Sequence, residues 1–425
     1  MKAPLALSPL RHASFRRLVA AHGLSRFGTE LALVAVAFAV LQSSPTAGAL
    51  GLVLAARTLP HVIFLIFGGV WADRLPRARI MVSSDVVCAV VQGALAAAVL
   101  TGQITLWLLM VLQAVLGSAS AFFVPAATGL TPATVPDGDL QRANGLLGLV
   151  GNGAGMLGPA VSGVVVAFAG PGWSLLVDAV TFLMSACLLL GIRQSEPVPA
   201  SAGGRPRGVR QDLAEGWHEV SSRNWLVAGI LQSLLFQACF AAFFTLGPVV
   251  AGATLGGPAA WGALVTAFGA GSLLGSLLAL RLQPARPLLT MQAALAVSVP
   301  AMAALTWTDW LPILLATTAM AGAGFAAADA FWETTLQRET PQDKLGRVAA
   351  FDRIGSSCLR PFGYLIAASV AAAAGQQHTL RGASLLLALS VPTVLIAVPQ
   401  IRRLRHHAAP TTDDRTPLSP AAHSN

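Results

Sequence analysis

This sequence predicts an all-α membrane protein of twelve spanning helices, arranged as two related six-helix bundles, and three observations carry that expectation. The 425 residues are 55% hydrophobic and only 11% charged, with a mean hydropathy of +0.68; soluble domains devote about a quarter of their residues to charge. Positive charge also alternates loop by loop. Lys2, Arg11, Arg16 and Arg17 precede the first apolar stretch, 42–46 is neutral, Arg74, Arg77 and Arg79 follow, 101–105 is neutral, and the alternation continues to Arg402, Arg403 and Arg405. Of the 27 Lys and Arg residues only Arg381 falls in a short loop on the opposite side. Short cytoplasmic loops retain Lys and Arg, so both termini are expected in the cytoplasm and the chain in the plasma (inner) membrane. Finally, Pro136, Leu140 and Arg142 recur as Pro341, Leu345 and Arg347, 205 positions later. Internal repeats of this kind mark secondary transporters, whose binding site lies between the repeats.

A helix needs about 20 residues to cross about 30 Å of hydrocarbon. Cutting at polar and Gly/Pro clusters places the spans at 15–41, 46–72, 80–100, 105–127, 143–169 and 172–192, then at 225–251, 258–281, 287–307, 309–332, 348–374 and 380–401. The first is expected to be retained, since its apolar stretch follows Arg16 and Arg17 and no small-residue cleavage site comes after it. Residues 1–192 thus form an N-terminal bundle, 193–224 a cytoplasmic linker with a short surface helix in its second part, 225–405 a C-terminal bundle and 406–425 a disordered tail. In span five Gly151 and Gly155 form a GxxxG, as do Gly271 and Gly275 in span eight, and each lets backbones approach closely. Ordinary packing within a bundle and a sliding contact of span five on span eight both fit. Gly158-Pro159 adds a kink to span five. Cys88, Cys187, Cys239 and Cys358 sit singly in separate spans and read as small packing residues.

Ionisable groups inside the spans carry the functional reading. An Asp or Arg at a helix centre costs about 2.5–3.5 kcal/mol on insertion scales, so each needs a partner, a wet cavity or a role. The candidates are Arg26, Glu30, Arg57, His61, Asp85, Asp178, Asp329, Glu333, Asp352, Arg353 and Arg360. Arg26 and Glu30, Arg57 and His61, and Asp329 and Glu333 are each four apart and share a helix face. Arg353 and Arg360, seven apart, would repel unless they met acids on other helices or an anionic substrate. Glu30 and Arg57 lie near mid-span and Asp329 a turn deeper than Glu333; with Arg26 they are the expected proton-coupling or substrate-cavity residues. Asp85, Glu333, Asp352 and Arg353 lie within about one and a half turns of a cytoplasmic end, where side chains reach water; there they suit a salt-bridge gate.

Composition excludes other classes. The basic residues form no stripe, so nucleic acid is not an expected partner. There is no G-x-x-x-x-G-K-[ST] loop for ATP, and the only adjacent acid pair, Asp413-Asp414, lies in the tail, so an enzyme acting on lipid is disfavoured. No metal and no cofactor are expected. The partners are the lipid bilayer, a small-molecule substrate and protons as coupling ion, with the chain acting as a monomer.

Between spans two and three, Gly69, Asp73, Arg74, Arg77 and Arg79 resemble the loop motif G-x-x-x-D-R-x-G-R-R of the major facilitator superfamily, with Pro76 and Ala78 departing from it. The resemblance covers the chain to about Arg405 and implies the major facilitator fold, with Asp73 and Arg74 latching the halves on the cytoplasmic side. The matching loop after span eight keeps Gly275, Arg281 and Arg286 without an acid, so the latch is expected to be one-sided. Gly158-Pro159 looks like the remnant of an exporter motif. The run from Pro341 to Gly363 is similar to the enterobactin-exporter-like and macrolide-efflux-like branch. Export of a drug, antibiotic or siderophore-like molecule in exchange for protons is what the resemblance implies; uptake by proton symport uses the same architecture. Span four, 105–127, lacks the Arg that drug/proton exporters usually carry there. Phe243, Phe244, Phe325, Phe331 and Trp332 suit either an aromatic cargo or plain packing.

Overall fold

In hydrocarbon every backbone N–H and C=O must be bonded within the protein, which leaves helices as the means by which such apolar runs cross it. A computed structural model describes residues 5–72, 76–192, 217–282, 284–340 and 342–404. The first six spans are Ala13–Ser43, Ala47–Ala72, Arg77–Leu100, Leu106–Ser120 continued by Phe123–Leu130, Leu140–Ala169 and Pro171–Leu190. The second six are Asn224–Thr254, Pro258–Arg281, Pro287–Ala296 continued by Val299–Trp307, Leu311–Glu339, Gln342–Ala374 and Gln376–Ala397. Eleven of these are long and apolar enough to cross a bilayer. The other, Gln342–Ala374, has 33 residues, ample in length to cross. Only 217–224 of the expected linker, and none of the tail from 406, falls within the described residues; 217–221 are helical.

Proline and glycine punctuate the rods. Span four breaks after Ser120 because Pro125 cannot donate to Ala121 and its ring crowds that carbonyl; Pro300 does the same to Ala296 in span nine. Gly170 (φ 88°, ψ 165°) turns the chain from span five into span six, and Gly375 (φ 89°, ψ 156°) turns it from span eleven into span twelve. Only glycine enters this region readily. Gly375 lies 205 positions after Gly170, the offset of the sequence repeat. The duplication therefore extends to backbone conformation.

Arginines cap helix ends on the side that carries the chain termini. Arg17 donates to the Gly191 carbonyl closing span six, Arg77 to the Gly129 carbonyl in span four, and Arg223 to the Glu339 carbonyl closing span ten. Each places a cation where the helix dipole is negative. At the opposite end Arg381, at the start of span twelve, donates to the Thr306 carbonyl of span nine.

Apolar packing differs between the two ends. One large cluster at the far end joins the six-helix sets, with Ala32 to Val40, Leu50 and Val53 packed with Phe236, Phe240, Leu246, Leu264 and Tyr364. At the terminus-bearing end the clusters are separate: Phe15, Leu18, Met81 and Leu130 in the first set, and Trp225, Leu226, Leu288 and Phe331 in the second. The sets are thus closed against each other at the far end and parted toward the termini, leaving a cleft.

Spans five and eight do meet, with Gly155 the one member of the paired motifs at the contact and the other glycines there lying outside them. A Cβ on Gly262 would lie 2.6 Å from the Pro159 carbonyl oxygen and 2.7 Å from the Gly163 Cα, and one on Gly269 would lie 3.0 Å from the Gly155 carbonyl. Gly271 and Gly275 instead take the backbone of Ala319 and Ala323 in span ten, while Gly151 has, among the described residues, only His22 near it, at 3.7 Å. A helix has several faces, and GxxxG does not name the neighbour that uses one.

Candidate functional site

A cavity of about 490 Å³ opens in the first set toward the terminus-bearing end, with Arg26, Arg57, Asp85, His22, Asn144 and Asn152 among its walls. Span one supplies Arg26 and Glu30, one turn apart, which form an ion pair of 2.8 Å. Arg26 is half exposed (52%) and Glu30 more enclosed (18%). Span five makes room for them: a Cβ on Gly158 would lie 2.7 Å from the Glu30 Cβ. Arg57 is fixed through its own backbone, since Gly117 of span four packs directly on its carbonyl. One turn on, His61 Nδ1 lies 3.2 Å from both the Gly117 carbonyl oxygen and Ser120 Oγ. Among the described residues no carboxylate oxygen lies within 4.0 Å of Arg57.

Asp85, on that wall, and Asp178, behind it, are two acids that the sequence reading left out of the cavity. Asp85 was expected near a wet cytoplasmic end, yet it is 1% exposed. Span three begins at Arg77, three residues earlier than the hydropathy cut, so Asp85 sits more than two turns inside. Ser25 Oγ donates to its Oδ1 at 3.3 Å. Asp178 of span six is equally buried and lies against Gly28, with Thr181 Oγ1 at 3.5 Å from its Oδ1. Among the described residues, the second oxygen of each has no partner within hydrogen-bond geometry, nor do the side chains of buried Gln92 and Gln113. The available signal was polar residues in mid-span; their depth needed the neighbours.

Asp329 is not brought to this cavity. It lines a separate pocket of about 60 Å³ in the second set, with Gln232, Phe236, Met291 and Trp332. There Gln232 and Gln292 exchange amide bonds of 2.8 and 2.6 Å. Of the aromatic candidates, Phe243, Phe331 and Trp332 are buried in packing, and Phe244 and Phe325 are half-buried.

The expected gate residues are scattered. Gly69 lies in the last turn of Ala47–Ala72, while Asp73 and Arg74 lie outside the described residues. Arg77 caps span four, Arg79 is exposed, and Glu333 is half-buried. Asp352 does not reach water: it is 8% exposed and accepts from Trp332 Nε1 at 3.0 Å. Span eleven starts at Gln342 rather than 348, which carries Asp352 deeper than expected. Arg353 is helical, and its side chain lies outside the described residues.

The profile of the Major Facilitator Superfamily matches residues 18–363. The multidrug efflux pump Tap of Mycolicibacterium fortuitum is 26% identical over 400 residues, covering 89% of this chain and 93% of that protein. Macrolide efflux protein A of Streptococcus pyogenes is 21% identical and covers 62% of this chain and 65% of its own length. Among solved structures, the nucleoside transporter NupG superposes with a TM-score of 0.74 at 11% identity, over 90% of this chain and 99% of that one. That likeness shows a shared fold.

Proposed function

Because the chain belongs to the Major Facilitator Superfamily, and is thus a membrane transporter distantly related to multidrug efflux pumps, we propose that it exports a small organic molecule from the cytoplasm in exchange for protons. The observation that carries this reading is the asymmetry of the two ends. A charged cavity lies open toward the termini while the far end is sealed by one continuous apolar cluster. With the termini in the cytoplasm, as the charge sorting supports, this is the state that loads cargo from inside.

The Arg26–Glu30 pair is the coupling device in this reading. A proton taken by Glu30 neutralises the carboxylate and releases Arg26; loss of the proton restores the 2.8 Å pair. Its seat against Gly158 ties that change to the contact between spans one and five. Protons entering down the membrane potential gain about 2.3 kcal/mol per charge per 100 mV, which supplies uphill export without ATP. Asp73 and Arg74 serve as the cytoplasmic latch, residues 1–192 and 225–405 as the two rocking bodies, and one chain as the working unit.

The test is transport into inverted membrane vesicles against a panel of antibiotics, dyes and siderophores. Uptake that requires an imposed pH gradient and collapses with it is the expected result. Accumulation of a compound independent of any proton gradient would overturn the coupling, and accumulation only in right-side-out vesicles would overturn the direction.

A further inference from the structure

Proton exchange through Glu30 leaves one feature unused: an arginine from each six-helix set stands at the same depth, Arg57 lining the cavity and Arg360 exposed on span eleven. Spans two and eleven run antiparallel and touch where a Cβ on Gly51 would lie 2.8 Å from the Tyr364 carbonyl oxygen and 2.7 Å from the Ala368 Cβ. Arg57 follows Gly51 by six residues, and Arg360 precedes the midpoint of Tyr364 and Ala368 by six. At 1.5 Å per residue each guanidinium-bearing position is about 9 Å from that contact, toward the termini. Arg360 donates to Gln237 Oε1 of span seven at 3.0 Å, a neutral partner. Among the described residues neither arginine forms an ion pair. Asp178, buried against Gly28, lies more than 4.0 Å from the Arg57 nitrogens.

Two like charges at one level repel each other, and each sits within a span without a counter-charge. An anion between them removes both penalties, and the planar guanidinium fork suits carboxylate, sulfonate and phosphate oxygens. We propose that Arg57 and Arg360 jointly bind an anionic group of the cargo, so that the transported class is the organic anion. Because one arginine belongs to each set, cargo binding draws the two sets together, and parting them weakens the site. The direction of movement rests on the export reading; the anion site does not. Exchange of one inward proton for one outward monoanion moves two positive charges inward, so the cycle responds to membrane potential as well as to the pH gradient.

Equilibrium binding to the purified full chain tests the site with three probes of one shape: 1-naphthoate, 1-naphthamide and 1-naphthylmethylammonium. The expected result is naphthoate binding at least tenfold tighter than naphthamide. The preference should fall to about one in Arg57→Gln and in Arg360→Gln and survive in part in Arg57→Lys and Arg360→Lys. A protein that binds all three equally, prefers the ammonium, binds none, or keeps its naphthoate preference in both Gln variants would overturn the proposal. Size-exclusion profiles identical to the parent exclude misfolding, and the Lys variants keep the test valid where a Gln variant unfolds. Vesicle transport of the same probes separates the two readings. A naphthoate preference without proton exchange sinks the export mechanism alone, whereas proton-coupled movement of the ammonium sinks the anion site alone.

Discussion

Replacing Gly262 with Val should release the far-end seal. In the closed arrangement its new Cβ would lie 2.6 Å from the Pro159 carbonyl oxygen and 2.7 Å from the Gly163 Cα, where ordinary contact begins at 3.4 Å. Spans five and eight must therefore part by about 0.8 Å, and because both obstacles are backbone no side chain can rotate away. Overpacking of this kind costs about 1–3 kcal/mol. Charged to the closed state alone, that shifts the equilibrium about 5- to 150-fold toward the far-open state. The reporter is Ala37→Cys, which is 4% exposed inside the seal, in a protein whose four native cysteines are replaced. A membrane-impermeant maleimide added from the far side should label it faster by a factor in that range. Gly145→Val is the control, since a Cβ there meets nothing within 4 Å. Labelling of the Gly262→Val protein no faster than the control would refute the argument that this glycine contact holds the end shut.

Glu30→Gln should abolish proton-coupled transport while leaving folded protein in the membrane; full activity in vesicles removes Glu30 from the mechanism. Gln292→Leu leaves the amide of Gln232 buried without its partner and should cost about 1–3 kcal/mol, seen as a lower Tm that Gln232→Leu/Gln292→Leu recovers in part; equal Tm values for the single variant and the parent would contradict it. Asp73→Asn should raise labelling of cysteines placed on the terminus-side wall of the cavity, and an unchanged rate counts against the latch. Outside the spans, Asp139 accepts from Ser8 Oγ at 2.6 Å and pairs with Arg142 at 2.8 Å, and these partners, Ser8 first, hold its pKa below the usual value. The folded form thus binds this proton less readily than the unfolded one. The stabilisation is fully present above the ordinary Asp pKa of about 3.9 and is lost as the pH falls through the lowered value. The Tm difference between the parent and Ser8→Ala should shrink on acidification, and a difference that grows instead would contradict the assignment.

What the sequence determined by itself is what local hydropathy and charge control. Spans, their order, the 205-residue repeat and the side bearing the arginines follow from the cost of placing backbone and charge in hydrocarbon, a cost each segment meets on its own. The ion pair of Arg26 with Glu30 was legible for the same reason, since four residues apart on one helix suffices to join them. Tertiary structure alone decided which helix each glycine touches, why Asp85 and Asp178 are buried beside the cavity, and why Asp329 serves a different pocket. It also set Arg57 level with Arg360 across 303 residues of chain. Depth and facing are properties of packed neighbours brought from distant parts of the chain, and a single span carries no record of which neighbour its face will meet.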